Sequence, residues 1–132
     1  MGRVGMIVFG IAMLAATSPR RAMAQGPEAL QPDAALAKRG QSVFRSRGCE
    51  ACHTIGKGKQ AGPDLAGVTN RRNLDWLRRW LKNPTEMLST DSTAQALLAE
   101  YKGIKMPALR LTDEDIEGLI HYMAQESAKQ KK

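Results

Sequence analysis

The sequence predicts a small all-α domain, and three observations support that fold class. Apolar residues recur at helical spacing in two segments, residues 74–81 and residues 116–123. Residues that favour helix N-termini precede the candidate helices, among them Asp33, Asn73 and Thr112. No segment of the sequence shows the period-two alternation of a half-buried strand. With 132 residues, the chain is long enough for one such domain.

Residues 1–24 are predicted to be a secretory signal peptide that is cleaved on export. Arg3 precedes an uncharged run, residues 4–19, and the Ala-Met-Ala sequence at residues 22–24 resembles a cleavage site. An uncleaved membrane anchor is the alternative, but 16 uncharged residues are fewer than the roughly 20 that a bilayer core requires. The mature protein is therefore expected in the periplasm.

Cleavage would leave a mildly basic chain of 108 residues. The full sequence has 20 Lys+Arg and 13 Asp+Glu, and the signal segment contains three arginines and no acid, so the mature net charge is +4. A dedicated nucleic-acid binder usually carries more positive charge, and no nucleic-acid partner is expected. The charge suits solubility and docking to an acidic protein surface.

The first half of the mature chain is expected to contain a lead-in, one helix and a loop. Two prolines make residues 25–34 a flexible lead-in. Asp33 is expected to cap a helix that ends near Arg47, where a glycine follows. Residues 54–72 are rich in glycine and are predicted to form a loop.

Three further helices are expected in the second half. The first begins at Asn73 and stops before Pro84, and the next begins at Asp91 or its neighbour. Thr112 is expected to cap the last helix, whose first turn is acidic and complements the helix dipole. One face of this helix is apolar and is predicted to be buried: Ile116, Leu119, Ile120 and Met123.

The segment Cys49-Glu50-Ala51-Cys52-His53 is the most informative motif. Cysteines at i and i+3 and a histidine at i+4 lie on one face of a helical turn. Two thiols and one imidazole in this arrangement suit covalent attachment of one haem c, with thioether bonds to two vinyl groups and a nitrogen below the iron. Because the mature chain has only five aromatic residues, a haem would also complete its small core.

The motif has two other possible interpretations. A redox disulfide of the thioredoxin type would need strands and a βαβ pattern, which the sequence lacks. A tetrahedral zinc site would need a fourth ligand, and the remaining histidine, His121, lies on the distant last helix. His121 is instead expected to be a partly exposed spectator.

A methionine is expected as the second axial ligand, because His/Met ligation raises the reduction potential of a haem. Met106 lies in a loop and precedes Pro107, which stiffens the backbone. Met123 lies on an apolar helix face, where core packing is the usual role. Met87 is expected in a polar connection after Pro84. Met106 is therefore the preferred ligand and Met87 the second choice.

These features give the sequence a resemblance to the class I, single-haem cytochromes c. The resemblance implies the small cytochrome c fold over residues 35–126, followed by a basic tail at residues 127–132. It rests on a glycine and an aromatic before the motif, on a turn after it, on a Met-Pro pair and on a Leu-x-x-Tyr pattern: Gly40, Phe44, Gly62, Pro63, Leu65, Met106, Pro107, Leu119 and Tyr122.

The resemblance also implies roles for residues around the haem. The Pro63 carbonyl is expected to accept a hydrogen bond from the second ring nitrogen of His53 and so orient it. Leu65 is expected to pack on the haem. Trp76 and Trp80 could each approach a propionate or serve as core residues, and this choice stays open.

The function that follows is one-electron transfer between respiratory or periplasmic partners, with no catalysis by the protein alone. The alternatives are a haem subunit fixed to a larger dehydrogenase or reductase, and a peroxidase or gas sensor with a labile sixth ligand. A monomer with peripheral or no membrane contact is expected. The resemblance places basic residues that would face an acidic partner near the haem edge: Lys57, Lys59, Lys102, Lys105 and Arg110.

Overall fold

The computed structural model describes residues 1–2 and 29–130, so most of the predicted signal peptide and the start of the lead-in lie outside it. The described residues contain helices and no strand, which confirms the all-α prediction. In chain order the helices are α1 (Ala34–Ser46), a 3-10 turn (Cys49–Ala51), α2 (Val68–Arg71), α3 (Leu74–Lys82), α4 (Pro84–Thr90), α5 (Ser92–Glu100) and α6 (Asp113–Lys129).

The predicted N-caps of α1, α3 and α6 are confirmed. The Asp33 carboxylate accepts the backbone N–H of Leu36 at 2.9 Å. The Asn73 side chain accepts the backbone N–H of Asp75 at 2.8 Å. Thr112 forms a reciprocal capping box with the third residue of α6. These bonds satisfy backbone donors that the first turn of a helix leaves without partners, so each helix begins where its cap stands.

The crossing of α1 and α6 brings two glycines into backbone contact. A Cβ added to Gly40 would lie 1.9 Å from the carbonyl oxygen of Gly118, so only glycine allows this approach. One turn beyond the crossing, the rings of Phe44 and Tyr122 pack at 5.5 Å with an angle of 56°. This contact between tilted rings adds to the apolar burial that holds the two helices together.

The main core lies between α1, α3 and α6. Its buried members are Val43, Phe44, Leu77, Leu81, Leu111, Ile116, Leu119, Ile120 and Met123. On the outside of the α3–α6 contact, Arg78 bonds both carboxylate oxygens of Glu117, with its Nε at 2.5 Å and its Nη2 at 3.1 Å. The resulting scaffold leaves the loops on either side of α2 and before α6 to form one wall of a cavity.

Two short helices occur where loops were predicted. α2 interrupts the glycine-rich segment directly after Gly67. α4 follows α3 after one residue, with Pro84 in its first turn and the Asn83 side chain as its cap. A proline at the first helical position loses no hydrogen bond, so Pro84 begins a helix here. The prediction that Met87 lies in a polar connection is therefore wrong, because Met87 is buried in α4.

The last helix extends beyond the predicted domain boundary at residue 126. α6 continues to Lys129, and the buried Ser127 hydroxyl donates to the Met123 carbonyl at 2.6 Å. The same hydroxyl accepts the backbone N–H of Gly67 at 2.7 Å. Ser127 thus ties α6 to the loop before α2, and the basic tail begins later than residue 127.

His121 has a structural role that the sequence did not indicate. Its Nδ1 accepts the backbone N–H of Asp33 at 2.9 Å, which fastens the start of α1 to α6. The expectation that His121 is a spectator is therefore wrong, although it is half-buried as expected. None of the helices in the described part of the chain is both long and apolar enough to span a membrane.

Candidate haem site

The residues that the sequence singled out for haem binding meet in one cavity. Cys49, Cys52, His53, Leu65 and Met106 all line it. The space between its walls, including the part that opens to solvent, is about 1410 Å³. One group bound in this cavity could therefore contact the two thiols, the imidazole and the methionine thioether.

The cavity walls come from nearly every helix of the domain. Apart from the motif and its loop, the lining is mainly apolar and aromatic: Phe44, Val68, Trp76, Leu77, Trp80, Leu81, Leu88, Leu97, Leu98, Tyr101, Leu119 and Met123. Met87 is not part of the lining, so the fold does not bring the second-choice ligand to the site. Met123 does line the cavity, but it is buried in the core face of α6.

A tight turn places the two thiols and the imidazole together. Gly48 has φ +70°, a left-handed conformation that glycine adopts without strain, and the 3-10 turn follows directly. The N–H groups of Cys52 and His53 both donate to the Cys49 carbonyl, at 3.2 and 3.0 Å. The Cys49 carbonyl thus accepts one bond of the 3-10 type and one of the α-helical type, and the 3-10 turn itself covers only Cys49–Ala51.

No disulfide joins the two thiols, and that of Cys49 is the less accessible. Cys49 is half-buried and Cys52 is exposed. Burial is the main cause that raises the pKa of the Cys49 thiol, with smaller contributions from Cys52 and Glu50. Since a thiolate is the nucleophilic form, Cys49 is not activated in the folded chain. Among the described residues, no group of three or more His, Cys, Asp and Glu side chains is arranged to hold a metal ion.

The imidazole of His53 has a fixed tautomer and orientation. Its Nδ1 lies 2.9 Å from the Pro63 carbonyl oxygen, as the resemblance implied. Because a carbonyl only accepts, Nδ1 carries the proton and Nε2 keeps its lone pair. A Cβ added to Gly62 would lie 2.6 Å from Cε1 of His53, so the ring packs directly on the backbone. The Gly-Pro pair therefore both orients the ring and excludes a side chain from its face.

Asp64 is a site residue that sequence reasoning missed. Its carboxylate accepts the backbone N–H groups of Gly56, Gly58 and Ala66. Burial alone would raise the pKa of this carboxyl, but the three N–H groups outweigh it and lower the pKa to about 2. An acidic residue within a glycine-rich loop was the available signal, because exposed backbone donors of such a loop need an acceptor.

The loop that carries Met106 is held by packing at its sides and by few hydrogen bonds. In the described chain no backbone–backbone hydrogen bond involves residues 105–111. Lys102 and Arg110, on either side of Met106, have φ +54° and +49°, which is uncommon for residues other than glycine. Met106 itself is half-buried and packs against the core. The Met106 side of the cavity is thus held by packing, whereas the His53 side is also held by hydrogen bonds.

Comparison with known proteins identifies the family of this chain. The sequence matches the Cytochrome c family over residues 37–127. The chain belongs to the cytochrome c family. As a member it carries covalently bound haem c and is an electron-carrier haem protein.

Solved structures support the same assignment. A cytochrome c from Rhodothermus marinus is 30% identical, with a TM-score of 0.70 over 86% of this chain and 92% of that one. The cytochrome c domain of a Pseudomonas putida protein is 41% identical, with a TM-score of 0.61 over 68% of this chain and 89% of that one. An engineered form of the Rhodothermus marinus protein, bound to a carbene intermediate, is 30% identical, with a TM-score of 0.65 over 84% and 91% of the two chains. No curated protein matches the sequence.

The described residues also fit the polar edge of a haem. The indole rings of Trp76 and Trp80 stack at 5.5 Å with an angle of 10°. The buried Nε1 of Trp76 has no hydrogen-bond partner among the described residues. The Asp91 carboxylate is near this N–H but outside hydrogen-bonding geometry. The pKa of Asp91 is lowered chiefly by the Ala94 N–H and to a smaller extent by this indole.

A haem propionate is an acceptor of the kind that the Trp76 N–H lacks. Three arginines line the same cavity: Arg47, Arg71 and Arg72. The guanidinium of Arg72 also lies 5.6 Å from the centre of the Trp76 ring. A cytochrome needs apolar walls for the porphyrin and N–H or cationic groups for its carboxylates. The cavity provides both.

Proposed function

We propose that this cytochrome is an exported one-electron carrier in which His53 and Met106 are the axial ligands of the haem iron. The observation that carries the proposal is that Cys49, Cys52, His53 and Met106 line one cavity while Pro63 holds His53 with Nε2 free. The haem supplies a reversible one-electron change at iron. Cys49 and Cys52 would hold the group covalently, Pro63 orients the imidazole, and the apolar lining of the cavity would exclude water from the porphyrin.

A carrier whose iron has two axial ligands from the chain would not act as an enzyme. With both axial positions filled by side chains, no position remains for a substrate. His53 is held rigidly by its neighbours, whereas Met106 lies on a loop without backbone hydrogen bonds. That loop is the observation that favours the second candidate function, a peroxidase or gas sensor in which Met106 leaves the iron.

One spectroscopic experiment separates these functions. The purified protein should keep its haem through acidified organic extraction, and its reduced-minus-oxidised spectrum should be unchanged by carbon monoxide. A carbon monoxide spectrum at neutral pH would favour the gas-binding function. Haem that is removed by extraction would contradict attachment through both cysteines.

Export is the second part of the proposal. It is supported by the signal-like sequence of residues 1–24 and by the predicted cleavage after Ala24. The mature protein recovered from the periplasm should begin at Gln25, and its mass should equal that of residues 25–132 plus one haem. A mature protein that retains residues 1–24 would instead be anchored.

The third part concerns the partner, for which we propose a redox protein with an acidic docking surface. Lys57, Lys102, Lys105 and Arg110 are exposed, and no carboxylate of the described residues pairs with them. Lys59 differs, because it forms an ion pair with Glu100. Ile104, a large apolar residue that is 55% exposed, lines the cavity next to Lys105. An apolar centre with unpaired cations around it suits a short-lived complex.

A fixed haem subunit remains the alternative to a free carrier. It is favoured by the likeness to a structure that is the cytochrome c domain of a Pseudomonas putida protein. Purification without detergent under mild salt distinguishes the two arrangements. A free carrier elutes as a monomer, whereas a fixed subunit elutes with its enzyme.

A further inference from the structure

Asp64 holds together the loop that carries the Pro63 carbonyl. Its Oδ1 accepts the N–H of Gly56 and the N–H of Ala66, both at 2.8 Å. Its Oδ2 accepts the N–H of Gly58 at 2.6 Å. One carboxylate therefore joins the chain leaving the haem motif to the chain that returns after Pro63. Charge-assisted bonds of this kind are about twice as strong as bonds between neutral groups.

Other hydrogen bonds fix the peptide on both sides of Asp64. The Gly62 N–H donates to the Cys52 carbonyl and the Leu65 N–H donates to the Thr54 carbonyl, both at 2.8 Å. On the outer side, Nη2 of Arg71 donates to the Asp64 carbonyl at 3.1 Å. The Pro63 carbonyl is therefore part of a braced segment, and its 2.9 Å distance to Nδ1 of His53 depends on that bracing.

We propose that Asp64 is a positioning residue that sets the strength of the His53–Pro63 hydrogen bond and, through it, the reduction potential of the haem. This proposal rests on the proposed ligation of iron by His53. A strong bond from Nδ1–H to a carbonyl makes the imidazole more electron-rich, which stabilises the oxidised iron more than the reduced iron. A weaker bond raises the potential.

The two oxygens of Asp64 allow charge to be separated from position. Asp64→Asn removes the charge but keeps Oδ1, so the bonds from Gly56 and Ala66 can persist and only the Gly58 bond is lost. Asp64→Ala removes the same charge and all three bonds. A purely Coulombic effect on the haem predicts equal potentials for the two variants. A positioning effect predicts a higher potential for Asp64→Ala.

The experiment measures reduction potentials of the holo-cytochromes, together with solvent exchange of the His53 Nδ1 proton by NMR. We expect the equilibrium constant for reduction to be at least about threefold larger in Asp64→Ala than in Asp64→Asn, and the Nδ1 proton to exchange faster. For a one-electron couple, tenfold corresponds to about 59 mV. Equal potentials and equal exchange in the two variants would overturn the proposal.

Two further variants keep the test decisive. Asp64→Glu keeps the charge but displaces the carboxylate by one methylene. A positioning role therefore predicts a raised reduction potential, whereas a Coulombic role predicts an unchanged one. This variant decides the question if Asp64→Ala does not mature. Asp33→Asn is the matched control, since it removes one charge from a capping aspartate of α1 and should leave both readouts unchanged. Covalent haem and the methionine band of the parent protein test the axial ligation separately, so a failure there is distinguishable.

Discussion

In the proposed ligation, the side chain of Met106 decides whether the iron is closed to small ligands. The structure places it on the cavity wall and leaves Met87 inside α4, away from that wall. We expect Met106→Ala to abolish the weak near-infrared band of a methionine–ferric iron bond, to lower the potential and to admit carbon monoxide.

The matched controls for this prediction are Met87→Ala and Met123→Ala. Both remove a buried methionine and should lower stability by about 2–5 kcal/mol, yet both should keep the band. A band that survives in Met106→Ala and disappears in Met123→Ala would move the ligand to α6, since Met123 also lines the cavity.

Asp64 predicts a defined acid sensitivity. Its pKa is about 2 in the folded chain, against about 3.9 for an unperturbed aspartate. A carboxyl whose pKa is lower in the folded chain than in the unfolded chain stabilises the fold at any pH above the unfolded pKa. This contribution is lost as the pH falls from about 4 to about 2. The melting temperature of the parent should therefore fall over this range more steeply than that of Asp64→Asn. Parallel curves would show that the carboxylate contributes no pH-dependent stability.

At the scale of elements, the α1–α6 crossing gives the sharpest stability prediction. A Cβ at position 40 would lie 1.9 Å from a backbone carbonyl, whereas a Cβ at position 118 would lie 3.0 Å from the Gly40 nitrogen. Replacing a helical glycine by alanine gains about 1 kcal/mol of helix propensity. For Gly40→Ala the clash outweighs this gain, and we expect a loss of at least about 2 kcal/mol.

Gly118→Ala is the matched comparison for the crossing. The new Cβ at position 118 requires a smaller shift of the backbone, and the cost of that shift is partly offset by the same gain in helix propensity. The loss of stability should therefore be clearly smaller than that of Gly40→Ala. Denaturant unfolding of both holo-proteins measures the difference. Equal stabilities would mean that the helices separate freely at this point and that the close contact is not required.

The elements that local chemistry specifies could be predicted from the sequence. α1, α3 and α6 begin at capping residues with an apolar period behind them, and both signals lie within a few residues. α4 was missed because a proline is compatible with either the end of one helix or the first turn of the next. Only the packing of Met87 into the core distinguishes these cases.

Contacts between distant segments could not be predicted in the same way. Gly40 was singled out, but its partner Gly118 was not, because nothing near residue 118 indicates which helix will cross it. Asp64 was missed since its three partners are backbone groups, so no partner side chain pointed to it, and its place in a glycine-rich loop was the one available signal. The motif cysteines and His53 were found because their chemistry requires a fixed local spacing.

At the scale of the whole molecule, the charge distribution around the cavity suggests how a partner approaches. Lys105 lines the cavity, is exposed and has no carboxylate partner among the described residues, whereas Lys59 is paired with Glu100. Charges of opposite sign on a partner would steer it toward this side, and salt screens such steering over about 8–10 Å. The bimolecular rate of electron transfer with the physiological partner should therefore fall steeply as ionic strength rises.

Charge reversal tests whether the steering is local to the cavity. Lys105→Glu should slow electron transfer at low salt by about tenfold without changing the spectrum, because it places a like charge opposite an acidic surface. Lys38→Glu makes the same change in net charge on α1, outside the cavity lining, and should have a much smaller effect. Equal slowing by both variants would show that only net charge matters. Rates unaffected by salt and by both variants would show an apolar or permanent contact, as expected for a fixed subunit.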